Sequence, residues 1–306
     1  MPDGSTRVVY VALAGNLAIA ATKLGAFALT RSSAMLTEAV HSLVDTLDQV
    51  FLLVGIRRAA RPPDEAHPFG HGLEAYFWSF VVALMIFTVG GAASVYAGVR
   101  RIMAPEMLVH PWVNYIVLAA SAGFEGVSFA VSWREYKRFV HDRSVRVWSF
   151  LRLSKDPALF STLLEDGAAL LGLAIAALGV TGSAYLGLAW ADGAASVAIG
   201  LLLTAVALFL ANEVRSLIAG EAAAPRVLAE VRRILEADPH VARLEEVLTL
   251  QLGPNAILVA VTLDFHDALT AGEVLSATAG LSDAIQASDQ RIGRIFLRPA
   301  NRRDRG

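Results

Sequence analysis

The chain has 306 residues, of which 55% are hydrophobic and 18% are charged, whereas soluble domains carry about 25% charged residues. Its mean hydropathy is +0.53, and the charges fall in clusters between long apolar stretches, so the composition predicts a membrane protein. The absence of cysteine excludes disulfides, thiolate metal ligands and cysteine nucleophiles. A net charge of −2 without a basic tract indicates no nucleic-acid partner.

Six apolar stretches are long enough to cross the hydrocarbon core of a bilayer, which takes about 20 helical residues. We predict transmembrane helices at residues 8–29, 35–56, 73–99, 111–133, 158–180 and 184–211. The first is too long for the apolar region of a signal peptide and contains Asn16 and Lys23. The predicted fold is therefore an all-α membrane domain of six transmembrane helices over residues 1–212, followed by a smaller domain.

Basic residues in the loops predict the orientation, because they accumulate on the cytoplasmic side. The loop after the second helix carries Arg57, Arg58 and Arg61, and seven basic residues follow the fourth helix between positions 134 and 155. The loop between the fifth and sixth helices carries none, and the opposing pair at positions 100 and 101 is outnumbered. We expect a multi-pass protein with both termini in the cytoplasm, in the inner or plasma membrane if the source is bacterial.

Residues 213–306 are predicted to form a small cytoplasmic α+β domain with the order α-β-β-α-β. The predicted elements are a helix at 224–237, strands at 243–252 and 256–265, a helix from a capping box at Thr270 and Glu273 to about Ala287, and a strand at 292–297. A fold of about 90 residues is marginal alone, so we expect this domain to form a homodimer.

The second predicted helix contains a candidate pair of metal ligands. His41 and Asp45 are four residues apart, so their Cβ atoms share a helical face about 5–6 Å apart. An imidazole nitrogen and a carboxylate oxygen at that spacing can meet one cation. Glu38 lies one turn earlier on nearly the same face. A carboxylate at the bilayer centre costs about 2.5–3.5 kcal/mol, so such residues persist where they pair, face a cavity or bind a ligand.

The fifth predicted helix carries two adjacent acids, Glu165 and Asp166. Neighbouring helical residues point about 100° apart, so the two cannot face one site equally, but one of them can complete a cation site with His41 and Asp45. Thr162 lies four residues before Asp166 and shares its face. Interhelical hydrogen bonding is the alternative for any one of these residues, and their concentration on two helices favours a metal site.

Other polar residues in the predicted helices have a structural interpretation. Glu125 in the fourth helix and Asp192 near the start of the sixth are further intramembrane acids. Asn16 and Lys23 in the first helix are candidate buried partners for them. We expect structural pairing rather than metal ligation for all four.

The loop after the second helix contains a short-range set of one carboxylate and two imidazoles: Asp64, His67 and His71. Alone, two histidines in a polar loop are more often solvated than ligating. Together with the motif of the second helix, the sequence resembles the cation diffusion facilitator family of zinc-transporter-like efflux proteins. The matching features are SSAMLTEAVHSLVD, DEAHPFGHGLEAY, an acidic fifth helix, and six helices followed by an α+β domain, which cover nearly the whole chain.

The resemblance implies a dimeric exporter that exchanges a divalent cation for protons by alternating access. It also implies two sets of metal ligands. The transport set is His41, Asp45 and Asp166, with Thr162 or Glu165 as the possible fourth position, and the accessory loop set is Asp64, His67 and His71.

Two departures from the family pattern bear on the metal. Bacterial zinc exporters of the family carry HxxxD in the fifth helix, which would place histidine where this chain has Thr162, and LLEDGAALLG looks like a separate branch. Family members with zinc in the soluble domain use a His-x-Asp in the final strand, where this chain has Leu297 and Pro299. His240 and His266 remain without a matching cluster, so we expect a dimer without that metal switch.

These features predict a divalent cation efflux transporter, with zinc/proton antiport expected and Mn, Fe, Co and Ni as other candidate metals. Its partners are the cation, protons, the lipid bilayer and a second copy of the chain, and no prosthetic group is expected. No HExxH motif occurs on any predicted helix, which argues against an intramembrane metalloprotease, and we expect no enzymatic activity. The alternative is a non-transporting metal-sensing or scaffold dimer, against which the intact HxxxD and DxxHxxxH motifs argue.

Overall fold

The structure is a computed structural model that describes residues 4–30, 33–104, 111–139, 150 and 154–300. Within the helices, the side chains at positions 5, 26, 27, 29, 30, 33–41, 111 and 139 lie outside the description. The chain divides into two compact units. The first comprises Met1–Arg57, Ala75–Arg152 and Asp156–Arg215, and the second comprises Arg58–Glu74, Leu153–Lys155 and Ser216–Gly306. The predicted domain boundary after residue 212 stays a prediction.

The first unit consists of long apolar helices. They are α1 (Gly4–Thr30), α2 (Ser33–Ala59), α3 (Glu74–Met103), α4 (Pro111–Phe139), α5 (Pro157–Tyr185) and α6 (Ala191–Gly220). Within the described residues, five helices are long and apolar enough to cross a membrane, namely α1 and α3 to α6. With 27 residues α2 has the length, but Glu38, Asp45 and Asp48 lower its hydropathy.

The last of these helices begins later than predicted. The sequence placed its start at residue 184, whereas α5 continues to Tyr185 and α6 begins at Ala191. Between them Gly187 adopts φ +67°, a left-handed conformation that glycine tolerates without steric cost. The connection contains Leu186 and Leu188, whose apolar character is indistinguishable from that of the helices on either side. Hydropathy alone therefore places this boundary wrongly.

Glycines bring α3 and α6 close together. A Cβ atom at Gly98 would lie 2.7 Å from the carbonyl oxygen of Gly193, and one at Gly200 would lie 2.8 Å from that of Gly91. Small residues at such interfaces let membrane helices pack backbone against backbone. The middle of α3, Ile86–Ala92, winds as a π-helix within this region.

The second unit contains the predicted α-β-β-α-β arrangement. Its elements are α7 (Pro225–Ala237), β1 (Val241–Gly253), β2 (Ala256–Phe265), α8 (Ala271–Ser288) and β3 (Ile292–Pro299). The capping box at the start of α8 is confirmed, because Thr270 Oγ1 accepts from the Glu273 amide and Glu273 Oε2 accepts from the Thr270 amide at 2.7 Å. This satisfies amides that the first turn of a helix leaves without a partner.

The three strands lie in the order β1-β2-β3, with β1 antiparallel and β3 parallel to the central strand. One face of the sheet packs on α7 and α8. The buried apolar side chains of this core include Val227, Val231, Leu235, Val247, Ile257, Val259, Val261, Leu263, Leu281, Ile285 and Ile292. Alternate residues of β2 fill it, as the period of two in a strand requires.

The opposite face of the sheet carries an apolar row. Leu248 of β1 pairs with Ala260 of β2, which in turn pairs with Phe296 of β3. Leu248 is 55% exposed and Phe296 is 52% exposed. Two large apolar side chains on one sheet face form a surface that a second protein chain can cover.

Candidate metal transport site

Most of the residues predicted to bind metal lie in two groups of polar side chains, one in each compact unit. The helical cluster consists of Asp45, Asp48 and Gln49 on α2 and of Glu165 and Asp166 on α5. The loop cluster consists of Asp64, His67 and His71 between α2 and α3.

Glu165 faces α2. The side-chain amide of Gln49 donates to Glu165 Oε2 at 2.9 Å. Electrostatic repulsion links Glu165 to Asp45 and to Asp48. The second carboxylate oxygen, Oε1, is buried and has no hydrogen-bond partner among the described residues. The side chain therefore presents a free oxygen in the acid-rich region between α2 and α5.

Asp166 is bonded to a different helix. Ser128 and Ser132 of α4 donate to its Oδ2 atom at 2.8 and 3.0 Å. The two serines are four residues apart and therefore share one face of α4. Asp166 is 4% exposed. Glu165 and Asp166 thus make their hydrogen bonds to different neighbouring helices, in keeping with the angle of about 100° between adjacent helical residues.

Two hydroxyl groups lie one helical turn before these acids. Ser161 precedes Glu165 by four residues, and Thr162 precedes Asp166 by four. Both residues are fully buried, and neither hydroxyl has a hydrogen-bond partner in the part of the chain that the structure describes. A hydroxyl inside a helix ordinarily donates to the carbonyl four residues earlier. These two do not, so both are available to a ligand.

Polar side chains of α1 bind α2. Asn16 Nδ2 donates to the carbonyl oxygen of Asp45 at 3.4 Å, and Lys23 Nζ donates to Ser42 Oγ at 2.8 Å. The later residue of α1, Lys23, contacts the earlier residue of α2, Ser42, whereas the earlier residue, Asn16, contacts Asp45. The two helices therefore run antiparallel, as in a hairpin.

Asp192 has a different partner from the one predicted. Its Oδ2 atom lies 2.7 Å from Nε of Arg101, so the end of α3 is joined to the start of α6. The prediction of Asn16 or Lys23 as its partner is therefore corrected, because the ion pair of Asp192 is formed with an arginine at the end of a neighbouring helix. Glu125 on α4 is attracted electrostatically by Lys23 and repelled by Asp45 and Asp166.

Some of the predicted ligands lie outside the description, and two buried residues were not predicted. His41 and Glu38 are in α2, but their side chains are not among those that the structure describes. Asp48 is 5% exposed and Gln49 is 1% exposed, and each has a buried side-chain oxygen without a described partner. The signal was present in the sequence, since these residues follow Asp45 by three and four positions on the same side of the helix.

The loop cluster brings its three side chains together. His67 Nδ1 lies 3.3 Å from Asp64 Oδ1, and His71 Nε2 lies 3.4 Å from Asp64 Oδ2. One ligand atom from each residue lies within 4.8 Å of the other two. Two zinc ligands at ~2.1 Å and a tetrahedral angle are about 3.4 Å apart, so the three residues lie close to the spacing of a metal site, although the two short contacts go to different oxygens of Asp64.

A tight turn positions the loop cluster. The His67 amide donates to Asp64 Oδ1 at 2.6 Å, and the Gly70 amide donates to the His67 carbonyl at 2.9 Å, with Gly70 at φ +88°. The backbone hydrogen bond from His67 is the main cause that lowers the pKa of the exposed Asp64 carboxyl below its ordinary value of 3.8. Asp64 is therefore ionised, and able to bind a cation, over a wide pH range.

The loop packs directly on the small domain within the second unit. A Cβ atom at Gly72 would lie 2.3 Å from the carbonyl oxygen of Leu252 in β1. Arg294 of β3 donates to the carbonyl oxygen of Pro68 at 3.2 Å. His71 is 9% exposed, so it is the most enclosed of the three loop ligands. Contacts with the sheet therefore fix the end of the loop that carries His71.

Among the described side chains, the loop cluster is the one group of three or more acidic or histidine residues that closes to metal-binding distance. The described acids of the helical cluster do not form such a group. In the small domain, His240 Nδ1 contacts Asp238 Oδ1 at 2.9 Å. That contact is a pair and not a three-residue site.

Comparison with known proteins identifies the family. Residues 9–219 match the family described as cation efflux transmembrane domain. The chain belongs to the cation efflux family. The resemblance seen in the sequence is thereby confirmed, and the cation efflux protein is an integral membrane protein with apolar helices and a small C-terminal domain containing a mixed three-stranded sheet.

Several curated proteins resemble this cation efflux protein. The proton-coupled zinc antiporter SLC30A9, mitochondrial, of Xenopus laevis is 31% identical over 262 residues, which are 86% of this chain and 47% of the relative. Metal tolerance protein C4 of Arabidopsis thaliana is 28% identical over 90% of this chain and 60% of the relative. Magnetosome protein MamM of Paramagnetospirillum magneticum is 29% identical over 75% of this chain and 69% of the relative. The chain thus spans about half the length of the antiporter that it matches.

Proposed function

We propose that this protein exports divalent metal cations in exchange for protons by alternating access, and that zinc is the physiological ion. The observation that supports this function is the group of buried acids shared by α2 and α5 in a member of the cation efflux family. Several carboxylates are costly to bury together unless a cation or protons neutralise them. A cation/proton exchanger binds one and then the other.

The proposed transport ligands are His41 and Asp45 of α2 with Asp166 of α5. Asp166 Oδ2 already accepts from two serines, which would orient the carboxylate around a bound ion as hydrogen bonds to metal ligands do. Thr162 or Glu165 supplies the fourth position. Both retain a buried oxygen without a described partner, so the geometry supports each of them.

Competition between metal and protons gives the exchange. A ligand must lose its proton before it binds the metal, so metal binding releases protons and protonation expels metal. Histidine is the side chain that ordinarily changes charge between about pH 5 and 8, which makes His41 the proton-sensitive ligand of the set. Cytosolic metal binds the deprotonated site, the helices repack, and protons from the other side release the ion.

Zinc is preferred for two reasons. Imidazole and carboxylate ligands without thiolate suit zinc, although they also suit Mn, Fe, Co and Ni. The vertebrate relatives are named as proton-coupled zinc antiporters. Zinc exporters with HxxxD carry histidine at the position of Thr162. Because this chain lacks that nitrogen ligand, Mn, Fe, Co and Ni remain candidate substrates beside zinc.

We propose that α2 is the sixth membrane span. It has 27 residues, and its antiparallel contacts with α1 return the chain across the bilayer. Its acids lower the hydropathy because they bind the ion. With six spans and basic loops on the inner side, both termini lie in the cytoplasm, residues 1–212 form the transport domain and residues 213–306 form the cytoplasmic dimerisation domain.

The accessory site and the dimer complete the proposal. Asp64, His67 and His71 bind a second metal ion outside the membrane, which is supported by the one ligand atom of each residue that lies within 4.8 Å of the other two. The homodimer forms through the small domain, where Leu248 and Phe296 expose an apolar row.

Transport by purified protein in proteoliposomes tests the proposal. An outward-directed proton gradient should drive zinc uptake by the wild type, and Asp45→Ala should reduce it to the rate of protein-free liposomes without dissociating the dimer. Glu135→Ala is the matched control, because Glu135 lies near the end of α4 and pairs with the exposed Arg138, a surface ion pair of a kind that contributes little. Normal uptake by Asp45→Ala would show that the site assignment is wrong.

The metal and the alternative function are decided in the same assay. Competition by Mn, Fe, Co and Ni against labelled zinc ranks the substrates, and zinc should compete best. Stoichiometric zinc binding by the wild type without any flux would instead support the metal-sensing or scaffold function.

A further inference from the structure

The proposed transport ligands leave one buried acid without a role. Asp48 is 5% exposed, and its Oδ1 atom has no hydrogen-bond partner in the described parts of the chain. Three residues of helix separate it from Asp45, which places it about 4.5 Å further along α2. A carboxylate buried among membrane helices needs a cation, a proton or a polar partner.

The group that faces Asp48 is another carboxylate. The carboxylates of Glu165 and Asp45 both repel Asp48 electrostatically, which places Asp48 near the boundary between α2 and α5. Glu165 is itself held by the Gln49 amide at 2.9 Å, which occupies Oε2 and leaves Oε1 free. Two carboxylates therefore approach one another while each keeps an oxygen that accepts no described hydrogen bond.

Neutral oxygens accompany these carboxylates. Gln49 Oε1 is buried in a side chain that is 1% exposed, and Ser161 Oγ is buried in a residue that is fully enclosed, one turn before Glu165. Neither has a described hydrogen-bond partner. Together with Asp48 Oδ1 and Glu165 Oε1, they make four unpaired oxygens on two helices that the Gln49–Glu165 bond joins. Unpaired buried oxygens cost free energy, which a cation bound between Asp48 and Glu165 would offset.

We propose that Asp48 and Glu165 form a second divalent-cation subsite, with Gln49 as the residue that positions Glu165, and that Thr162 then supplies the fourth position of the transport site. The inference rests on the proposed function and its orientation, in which α2 runs towards the cytoplasm. Residues after Asp45 then lie nearer to the cytoplasm, so an arriving ion meets Asp48 before it reaches His41 and Asp45. We call Asp48 and Glu165 together the Asp48 subsite.

The chemistry of the Asp48 subsite differs from that of the transport site. It offers only oxygen ligands, which suit Mg, Ca and Mn as well as zinc. Selection of zinc then falls to His41, whose imidazole is the nitrogen ligand of the transport set. The subsite collects divalent cations, and the transport site chooses among them.

A binding experiment separates the two sites. In full-length protein with the loop ligands removed (D64A, H67A, H71A), adding Asp45→Ala should leave one zinc per chain in equilibrium dialysis. X-ray absorption should show an oxygen-only ligand shell for that zinc. Adding Asp48→Asn should weaken this binding by at least about tenfold, the smaller of the effects seen when a group that supports a metal site is lost. Unchanged zinc affinity in that variant would overturn the inference.

A transport experiment tests the position of the subsite on the route. With the cytoplasmic side facing the added zinc, Asp48→Asn should raise KM by about tenfold or more and leave the maximal rate within about twofold of the wild type. Asp48→Glu should keep KM near that of the wild type, and Glu135→Gln serves as the matched control. If Asp48→Asn does not purify as a dimer, Asp48→Ser must show the same rise in KM, and its failure to do so overturns the inference.

The outcomes distinguish this inference from the proposed function. Loss of flux in Asp45→Ala together with a normal KM in Asp48→Asn and Asp48→Ser overturns the subsite and supports the transport site. Normal flux in Asp45→Ala overturns the proposed function whatever the Asp48 variants do.

Discussion

Replacing Gly72 with alanine should weaken metal binding at the loop cluster without removing a ligand. The added Cβ would lie 2.3 Å from the carbonyl oxygen of Leu252 and 3.0 Å from the Cα atom of Gly253. Both atoms belong to the backbone, so neither can rotate away as a side chain would. The loop must move off the turn between β1 and β2, and His71, which directly precedes Gly72, moves with it.

The size of the effect follows from the strain. Overpacking a tight contact typically costs about 1–3 kcal/mol. If this free energy is lost from the preorganised position of His71, zinc affinity at the loop cluster falls by about 5- to 150-fold, since 1.4 kcal/mol corresponds to a factor of ten. The ligands Asp64 and His67 remain unchanged, so binding is weakened and not abolished.

Titration calorimetry with zinc measures this loss in a background that carries Asp45→Ala and Asp48→Asn. Gly253→Ala should have a similar effect, because its Cβ would lie 2.7 Å from the Cα atom of Gly72. Gly280→Ala is the control: it lies on the exposed side of α8 with no atom within 4 Å of the added Cβ, and should leave zinc binding unchanged. Wild-type affinity in Gly72→Ala would refute the reasoning that the sheet holds His71 in place.

Two further predictions concern charge and assembly. In the metal-free protein, NMR should show that the pKa of the Asp64 carboxyl lies below 3.8. The ionised carboxylate therefore stabilises the turn above that pH, and this stabilisation is lost as the pH falls through the lowered pKa. His67→Ala should keep most of the pKa shift, because the backbone amide of residue 67 is the main cause of the shift. Leu248→Asp or Phe296→Asp should convert the dimer to monomer in analytical ultracentrifugation, whereas Leu275→Asp, at a 73% exposed leucine of α8, should not. A dimer that survives both sheet substitutions would place the interface elsewhere.

The small domain could be predicted from sequence almost element by element. Its helices and strands have opposite periodicities, and its boundaries carry local signals such as the capping box at Thr270 and the turn after Gly253. Strand pairing then follows from which face is apolar, as the buried alternate residues of β2 show. Each of these signals lies within a few residues of the helix, strand or turn that it determines, so these elements could be predicted without knowledge of long-range contacts.

The membrane part was predictable in outline only. Apolar composition located the helices but not the start of α6, because Leu186 and Leu188 in the connection look like helix residues. Periodicity placed Glu165 and Asp166 on different faces, but it could not say which helix each face meets. The serines that bind Asp166 and the arginine that binds Asp192 are distant in sequence and ordinary in type. Such partners depend on how the helices pack, which hydropathy does not encode.

The hydrogen bonds of the two adjacent acids constrain how the proposed transport cycle can work. Asp166 is tied to α4 by two serine hydroxyls, whereas Glu165 is tied to α2 by the single amide of Gln49. Alternating access requires the transport site to open first to one side of the membrane and then to the other. If α2 moves relative to α5 in this step, the movement strains the Gln49–Glu165 hydrogen bond but not the hydrogen bonds from the α4 serines to Asp166. Asp166 would then stay with α4 and α5 as a fixed ligand, and Glu165 would gain or lose its donor with the movement. A neutral amide suits that position, since breaking its hydrogen bond to a carboxylate costs about 1.5–3 kcal/mol, below the 3–5 kcal/mol typical of breaking a buried ion pair.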